Sequence, residues 1–73
     1  MFRKPTPQEL ENRFTHHAPR GDQAARYEVL RAAALAFAKM IVELTPCSPE
    51  QARSLNSLDE AVMLANAAIA RNE

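Results

Sequence analysis

The sequence predicts an all-α protein, in which a short N-terminal helix is followed by a long antiparallel helical hairpin and the chain assembles as a homo-oligomer. Three observations carry that expectation. The stretch Asp22 to Leu44 contains neither proline nor glycine and is rich in Ala, Leu, Arg and Glu, all good helix formers. Thr6-Pro7-Gln8-Glu9 and Ser48-Pro49-Glu50-Gln51 each spell a helix start. Only the short segment Thr45 to Ser48 separates the two long helical stretches, which forces them to run side by side in opposite directions.

Taken in order, residues 1–5 carry no pattern and read as untethered. The first helix is expected over 7–14, with Thr6 as N-cap, Pro7 at the first helical position and Glu9 closing a capping box. Leu10 and Phe14 lie four residues apart and give this helix one apolar edge for docking. Thr15 to Gly21 then breaks the pattern, and Pro19 with Gly21, the only glycine, marks a turn. The second helix is expected over 22–45. Asp22 supplies its N-cap, and Tyr27, Leu30, Ala34, Phe37, Ile41 and Leu44 form one stripe. Pro46 stops it, and at ~1.5 Å rise per residue it is about 35 Å long.

The third helix is expected over 49–71, with Ser48 as N-cap and Gln51 closing the box. Its main stripe is Ala52, Leu55, Leu58 or Asp59, Val62, Ala65 or Asn66, and Ile69. Ala61, Leu64 and Ala68 add a second stripe, as Ala33, Ala36 and Met40 do on the long helix. Apolar surface left over after one helix–helix contact calls for another partner, hence the homo-oligomer.

The 73 residues make one domain, 1–73, and a chain this short needs support beyond its own core. A single cysteine excludes an intrachain disulfide and a multi-cysteine metal site. No secretory pattern and no membrane-length apolar run is visible, so a cytosolic protein with no membrane partner is expected. Nine basic residues balance nine acidic ones, which argues against DNA but leaves room for a small phosphorylated ligand.

The hairpin locates the candidate chemistry. Its closed end is Pro46–Ser48, so Asn66 to Arg71 return beside Asp22 to Arg26, and the His16-His17 loop lies at the same open end. Two readings of His16 and His17 stand: solvated loop histidines, or imidazole faces that stack on a nucleobase with Pro19 as an apolar wall. No zinc site is expected, because nothing completes a tetrahedral set. Tyr27 and Arg31 are four apart and within reach of each other. Arg31 reads either as a snorkelling side chain that meets Glu28 or solvent, or as a guanidinium that holds a phosphate. Asn66 reads as a buried amide fixing register across an interface, Arg71 as a complement to the helix dipole, and Cys47 as a loop thiol. With no nucleophile–base pair, no carboxylate pair in a pocket and no glycine-rich loop, the chain is expected to be a binding protein that needs no cofactor, not an enzyme.

The strings FTHHAPRGDQAARYEVLR, IVELTPCSPEQ and LDEAVMLANAAIARNE, in that order from Phe14 to Glu73, resemble a family of small bacteriophage proteins. These are the anti-CBASS cyclic-nucleotide sponges with the helical-hairpin domain. The resemblance implies a phage protein acting in the host bacterial cytoplasm. It would bind and hide the cyclic di- and trinucleotide messengers of the CBASS immune system without cleaving them. It also implies a hexamer with a dimer as building unit. By position, the dinucleotide site falls on His16, His17, Pro19 and Arg31, and the trinucleotide site on Arg71. Three departures accompany it. His16 stands where the family has a stacking aromatic, a change expected either to weaken stacking or to make it pH-dependent. Ala33 stands where a phosphate-binding hydroxyl is expected, and Leu64 where relatives often have Trp. The competing expectation is a structural or regulatory helical oligomer that binds a host protein through its outer face.

Overall fold

Two of the three helices begin where a side chain accepts from a free first-turn amide. The computed structural model describes residues 3–73; Met1 and Phe2, part of the segment expected to be untethered, lie outside the described residues. Helix α1 (Pro7–Phe14) opens on a complete capping box. Thr6 Oγ1 accepts from the Glu9 amide at 3.1 Å, and the Glu9 carboxylate accepts from the Thr6 amide at 3.0 Å. The guanidinium of Arg3 also donates to Glu9, so Arg3 is held after all. That pairing, with the Thr6 amide second, holds the Glu9 carboxyl below its ordinary range.

Helix α3 (Pro49–Asn72) starts the same way, with Ser48 extended and its Oγ accepting from the Gln51 amide at 3.1 Å. Gln51 does not close a second box. Its Nε2 donates to the Thr45 carbonyl at 3.1 Å and to Thr45 Oγ1 at 3.0 Å. The Thr45 carbonyl is left without a helical partner by the end of helix α2 (Gln23–Leu44), and a Gln51 side chain turned to donate to it does not offer its Oε1 to the Ser48 amide. Thr45 itself finishes α2 by donating to the Ile41 carbonyl from its amide, at 3.1 Å, and from its hydroxyl, at 2.6 Å.

The start of α2 departs from expectation. Asp22 occupies the N-cap position, but with φ −88° and ψ 8° its backbone is not extended, and its carboxylate caps nothing. An N-cap side chain reaches the first-turn amides only from extended backbone. Asp22 Oδ1 instead lies 3.2 Å from the Arg26 guanidinium. Gln23 organises this helix start: its amide donates to the Arg20 carbonyl at 3.0 Å, and its Oε1 accepts from the Arg20 amide at 2.9 Å.

α2 and α3 pack antiparallel. Arg26 meets Glu73 at one end and Thr45 meets Gln51 at the other, with Leu30 beside Ala65 and Phe37 beside Leu58 between them. The chain measures 45 × 35 × 17 Å, so the hairpin is one layer of helices. One layer has a seam but no interior. Leu30, Ala34 and Ile41 meet Leu55, Leu58, Val62 and Ile69 there, all half-buried, and among the described residues no apolar side chain is fully buried. Leu58 faces the seam and Asp59 faces solvent, while Ala65 and Asn66 are both half-buried. The stripes read from the sequence are wider than the seam: Phe37 is 52% exposed and Leu44 73%, and Ala52, Ala61, Leu64 and Ala68 are exposed too. A single neighbouring helix covers only part of a broad apolar face.

Gly21 has φ 55°, and a Cβ there would touch nothing within 4 Å. Gly21→Ala should therefore destabilise by about 1 kcal/mol through backbone conformation alone. Ser48→Ala should cost about 1 kcal/mol, and Ser48→Gly only a few tenths. Urea denaturation at fixed protein concentration checks all three.

A basic cleft at the open end of the hairpin

The last turn of α1 leaves its carbonyls without helical partners, and these recruit the cleft's walls. His17 Nε2 donates to the Asn12 carbonyl at 2.8 Å, which sets the imidazole tautomer on that side. The Arg71 guanidinium donates to the Arg13 carbonyl at 3.3 Å, and Asn12 Nδ2 returns a bond to the Arg71 carbonyl at 3.2 Å. The end of α1 is thus bonded to the end of α3, with His17 tucked against it.

The other flank is tied by Glu73. Its carboxylate accepts from both terminal nitrogens of Arg26, at 2.8 and 2.5 Å, and from Gln23 Nε2 at 3.1 Å. Its main-chain oxygen accepts from the Arg20 guanidinium. Gln23, 6% exposed, is the one buried residue among those described. The Arg26 hydrogen bonds, with that of Gln23 second, hold the Glu73 carboxyl down at about 2, and Glu73 in turn raises Arg26.

Between these two ties lies an open cleft of about 380 Å³. His16, His17 and Thr15 from the loop, Arg13 from α1, Tyr27 and Arg31 from α2, and Asn66, Ala67, Ala70 and Arg71 from α3 line it. Its size falls at the small end of ordinary ligand sites, roughly 300–1,000 Å³. Three arginines and two histidines line it, and no carboxylate does. A chain of zero net charge therefore concentrates basic groups at one place. Guanidinium forks there can grip phosphate oxygens in pairs, and the Tyr27 and imidazole rings offer flat faces beside them.

Of the residues singled out from the sequence, His16, His17, Arg31 and Arg71 all meet in this cleft. Pro19 is exposed and is not part of its wall. Arg71 and His17 also line a neighbouring cleft of about 650 Å³ between α1 and α3, whose other walls include Gln8, Glu9, Glu11 and Asn12. The two residues assigned by resemblance to different sites, Arg31 and Arg71, thus share one wall-to-wall space in the single chain. Arg31 is 66% exposed and stands 3.6 Å from Glu28, the partner the sequence offered it. Asn66 Oδ1 is buried with no hydrogen-bond partner among the described residues. Ala33 lies away from the cleft, in an apolar groove along the seam with Leu30 and Phe37, and Leu64 is 60% exposed. The sequence reading missed Arg13, Thr15, Ala67 and Ala70. Ala67, Ala70 and Arg71 share a face with Asn66 by helical spacing, which was legible; the position of α1, which brings Arg13, was not.

Fold and cleft together define a small helical-hairpin protein with a basic, ring-lined recess at the mouth of the hairpin. A family model described as Acb2/Tad1, hairpin domain, matches residues 6–70. The chain belongs to this family, that of the anti-CBASS sponges, as the resemblance in its sequence implied. No curated protein and no solved structure matches it. Among the described residues no helix is long and apolar enough to cross a membrane.

The Glu73 tie has a definite pH signature. A carboxyl with its folded pKa lowered to about 2 from 4.5 contributes stability in full above pH 4.5, and loses it as pH falls from there through about 2. Acid unfolding of the native chain should therefore steepen across that window, and Glu73→Gln should flatten it. An NMR titration of the Glu73 side chain that gave an ordinary carboxyl pKa would contradict the tie.

Proposed function

We propose that the protein sequesters cyclic di- and trinucleotides at the open end of the hairpin, binding them without cleaving them. The observation that supports this reading is the lining of the cleft: arginines and flat rings side by side, with no carboxylate among them. Phosphate and nucleobase alternate around a cyclic nucleotide, and each finds its complement here, guanidinium for phosphate and ring face for base. Arg31 gives up little to bind, because its contact to Glu28 is a surface pair 3.6 Å long with both side chains well exposed. The chain supplies binding and no chemistry, so the ligand leaves intact.

The cleft of one chain is open, and a second protomer facing it would enclose a dinucleotide. Val29, Leu35, Met40, Val42, Met63 and Leu64 are each more than half exposed, and apolar surface of this extent suits hairpin-on-hairpin packing. A dimer enclosing the dinucleotide, repeated to a hexamer, is the assembly we infer. The larger neighbouring space, which shares Arg71 and His17, is the candidate for trinucleotides. A phage protein with this activity acts in the host cytoplasm, where the messengers are made. To outcompete an effector for scarce messenger it needs tight binding; a Kd near 1 nM corresponds to about −12 kcal/mol, which a preformed pocket supplies more readily than a flexible one.

Calorimetric titration with cyclic di-AMP, cyclic di-GMP and cyclic tri-AMP, followed by recovery of ligand after denaturation, tests the reading. Tight binding with unaltered ligand recovered is expected; cleaved ligand would make the protein an enzyme. No binding across the panel would favour a helical oligomer directed at a host protein. Arg31→Ala should weaken dinucleotide binding by roughly 1.5–3 kcal/mol, about 10- to 150-fold. Arg71→Ala should affect the trinucleotide more than the dinucleotide.

A further inference from the structure

The loop that carries both imidazoles has no apolar anchor. Between Thr15 and Asp22 every residue is exposed except His17, which is half-buried. Such a segment drifts unless its ends are tied. One tie is the His17–Asn12 bond at 2.8 Å. The other lies at Arg20, where the amide donates to Gln23 Oε1 at 2.9 Å and the guanidinium donates to the Glu73 main chain.

The Gln23 amide group is used at both ends. While its Oε1 holds the Arg20 amide, its Nε2 donates to Glu73 Oε1 at 3.1 Å. An amide has one acceptor end and one donor end, so the carboxylate beyond it decides which way it faces. With Glu73 in place, Oε1 must turn toward Arg20. Glu73 is in turn fixed by the paired Arg26 bonds at 2.8 and 2.5 Å. A continuous run of polar contacts thus leads from Arg26 through Glu73 and Gln23 to the end of the histidine loop, and it includes Gln23, the one buried residue among those described.

We propose that Glu73 is a positioning residue for the cleft: by orienting Gln23 it fixes the His16–Arg20 loop, and so the imidazole wall that a ligand meets. Glu73 does not line the cleft and touches no ligand there. It acts through another residue, as supporting hydrogen bonds do in sites that must be preorganised. For its effect on affinity the proposal rests on the sequestration reading; for the loop itself it does not.

Glu73→Gln tests it. The substitution keeps size and removes the charge: one amide oxygen is left for Gln23 Nε2 and Arg26 Nη2, and the amide nitrogen opposes the Arg26 Nη1 donor that Glu73 Oε2 accepted, so the paired Arg26 bonds that fix residue 73 are broken. In the ligand-free protein, the ring signals of His16 and His17 in NMR spectra should move or broaden relative to wild type, with helical content by circular dichroism unchanged. Cyclic di-AMP affinity should fall about tenfold. Arg31→Ala is the contrast, since it should lower affinity and leave the ligand-free ring signals in place. Gln23→Glu, which keeps the acceptor toward Arg20 but sets a carboxylate against Glu73, should reproduce the displaced rings. Unmoved ring signals in Glu73→Gln would overturn the proposal. So would moved signals with wild-type affinity. If wild-type protein binds no cyclic nucleotide, the sequestration reading fails, and the ring signals still decide whether Glu73 holds the loop.

Discussion

The paired hydrogen bonds between Arg26 and Glu73 join the first turn of α2 to the last residue of the chain, and the open end of the molecule is arranged around them. Elsewhere a hairpin of this length leans on its seam of Leu, Val and Ile. Near its mouth the seam gives out, and polar contacts take over: Gln23 to Arg20, Asn12 to Arg71, His17 to the α1 carbonyls. Hydrogen bonds are directional where apolar contacts are not, so this end of the molecule holds its side chains in chosen orientations. That is the property a recess for a charged, faceted ligand requires.

The rest of the chain poses the opposite problem. Two helices side by side bury no apolar residue fully, and large side chains such as Phe14 at 78% and Val29 at 67% exposure face outward. Folding of a single chain gains little from so shallow a seam. The exposed Ala-lined flanks are narrow enough to permit close approach of another helix pair. The proposed sponge would use this division, the apolar body for association and the polar mouth for its ligand. Membership of the anti-CBASS sponge family is consistent with both halves.

Much of this was written in local chemistry. The capping box at Thr6 and Glu9, the Ser48 cap, the stop before Pro46 and the turn at Gly21 each depend on residues a few positions apart, and each is present. The placement of the His16-His17 loop beside Arg71 also followed from counting along an antiparallel hairpin. The expectations that failed concern side chains with a choice of partner. Asp22 turned to Arg26, and Gln51 turned to Thr45, because the local motif was outbid by a neighbour fixed elsewhere in the fold. Pro19, exposed between the loop's ties at His17 and Arg20, is not among the residues that line the cleft.

By itself the sequence determined the helices, their order, their antiparallel pairing and the end at which histidines and arginines gather, because periodicity, caps and breakers act over a turn or two of chain. Only the tertiary structure decided that Arg31 and Arg71 share one space, that Arg13 joins them, and that Glu73 reaches Arg26 across 47 positions. Such contacts depend on where α1 lies against α3 and on how one buried amide is turned. Those are properties of the packed chain, and no short window of residues carries them.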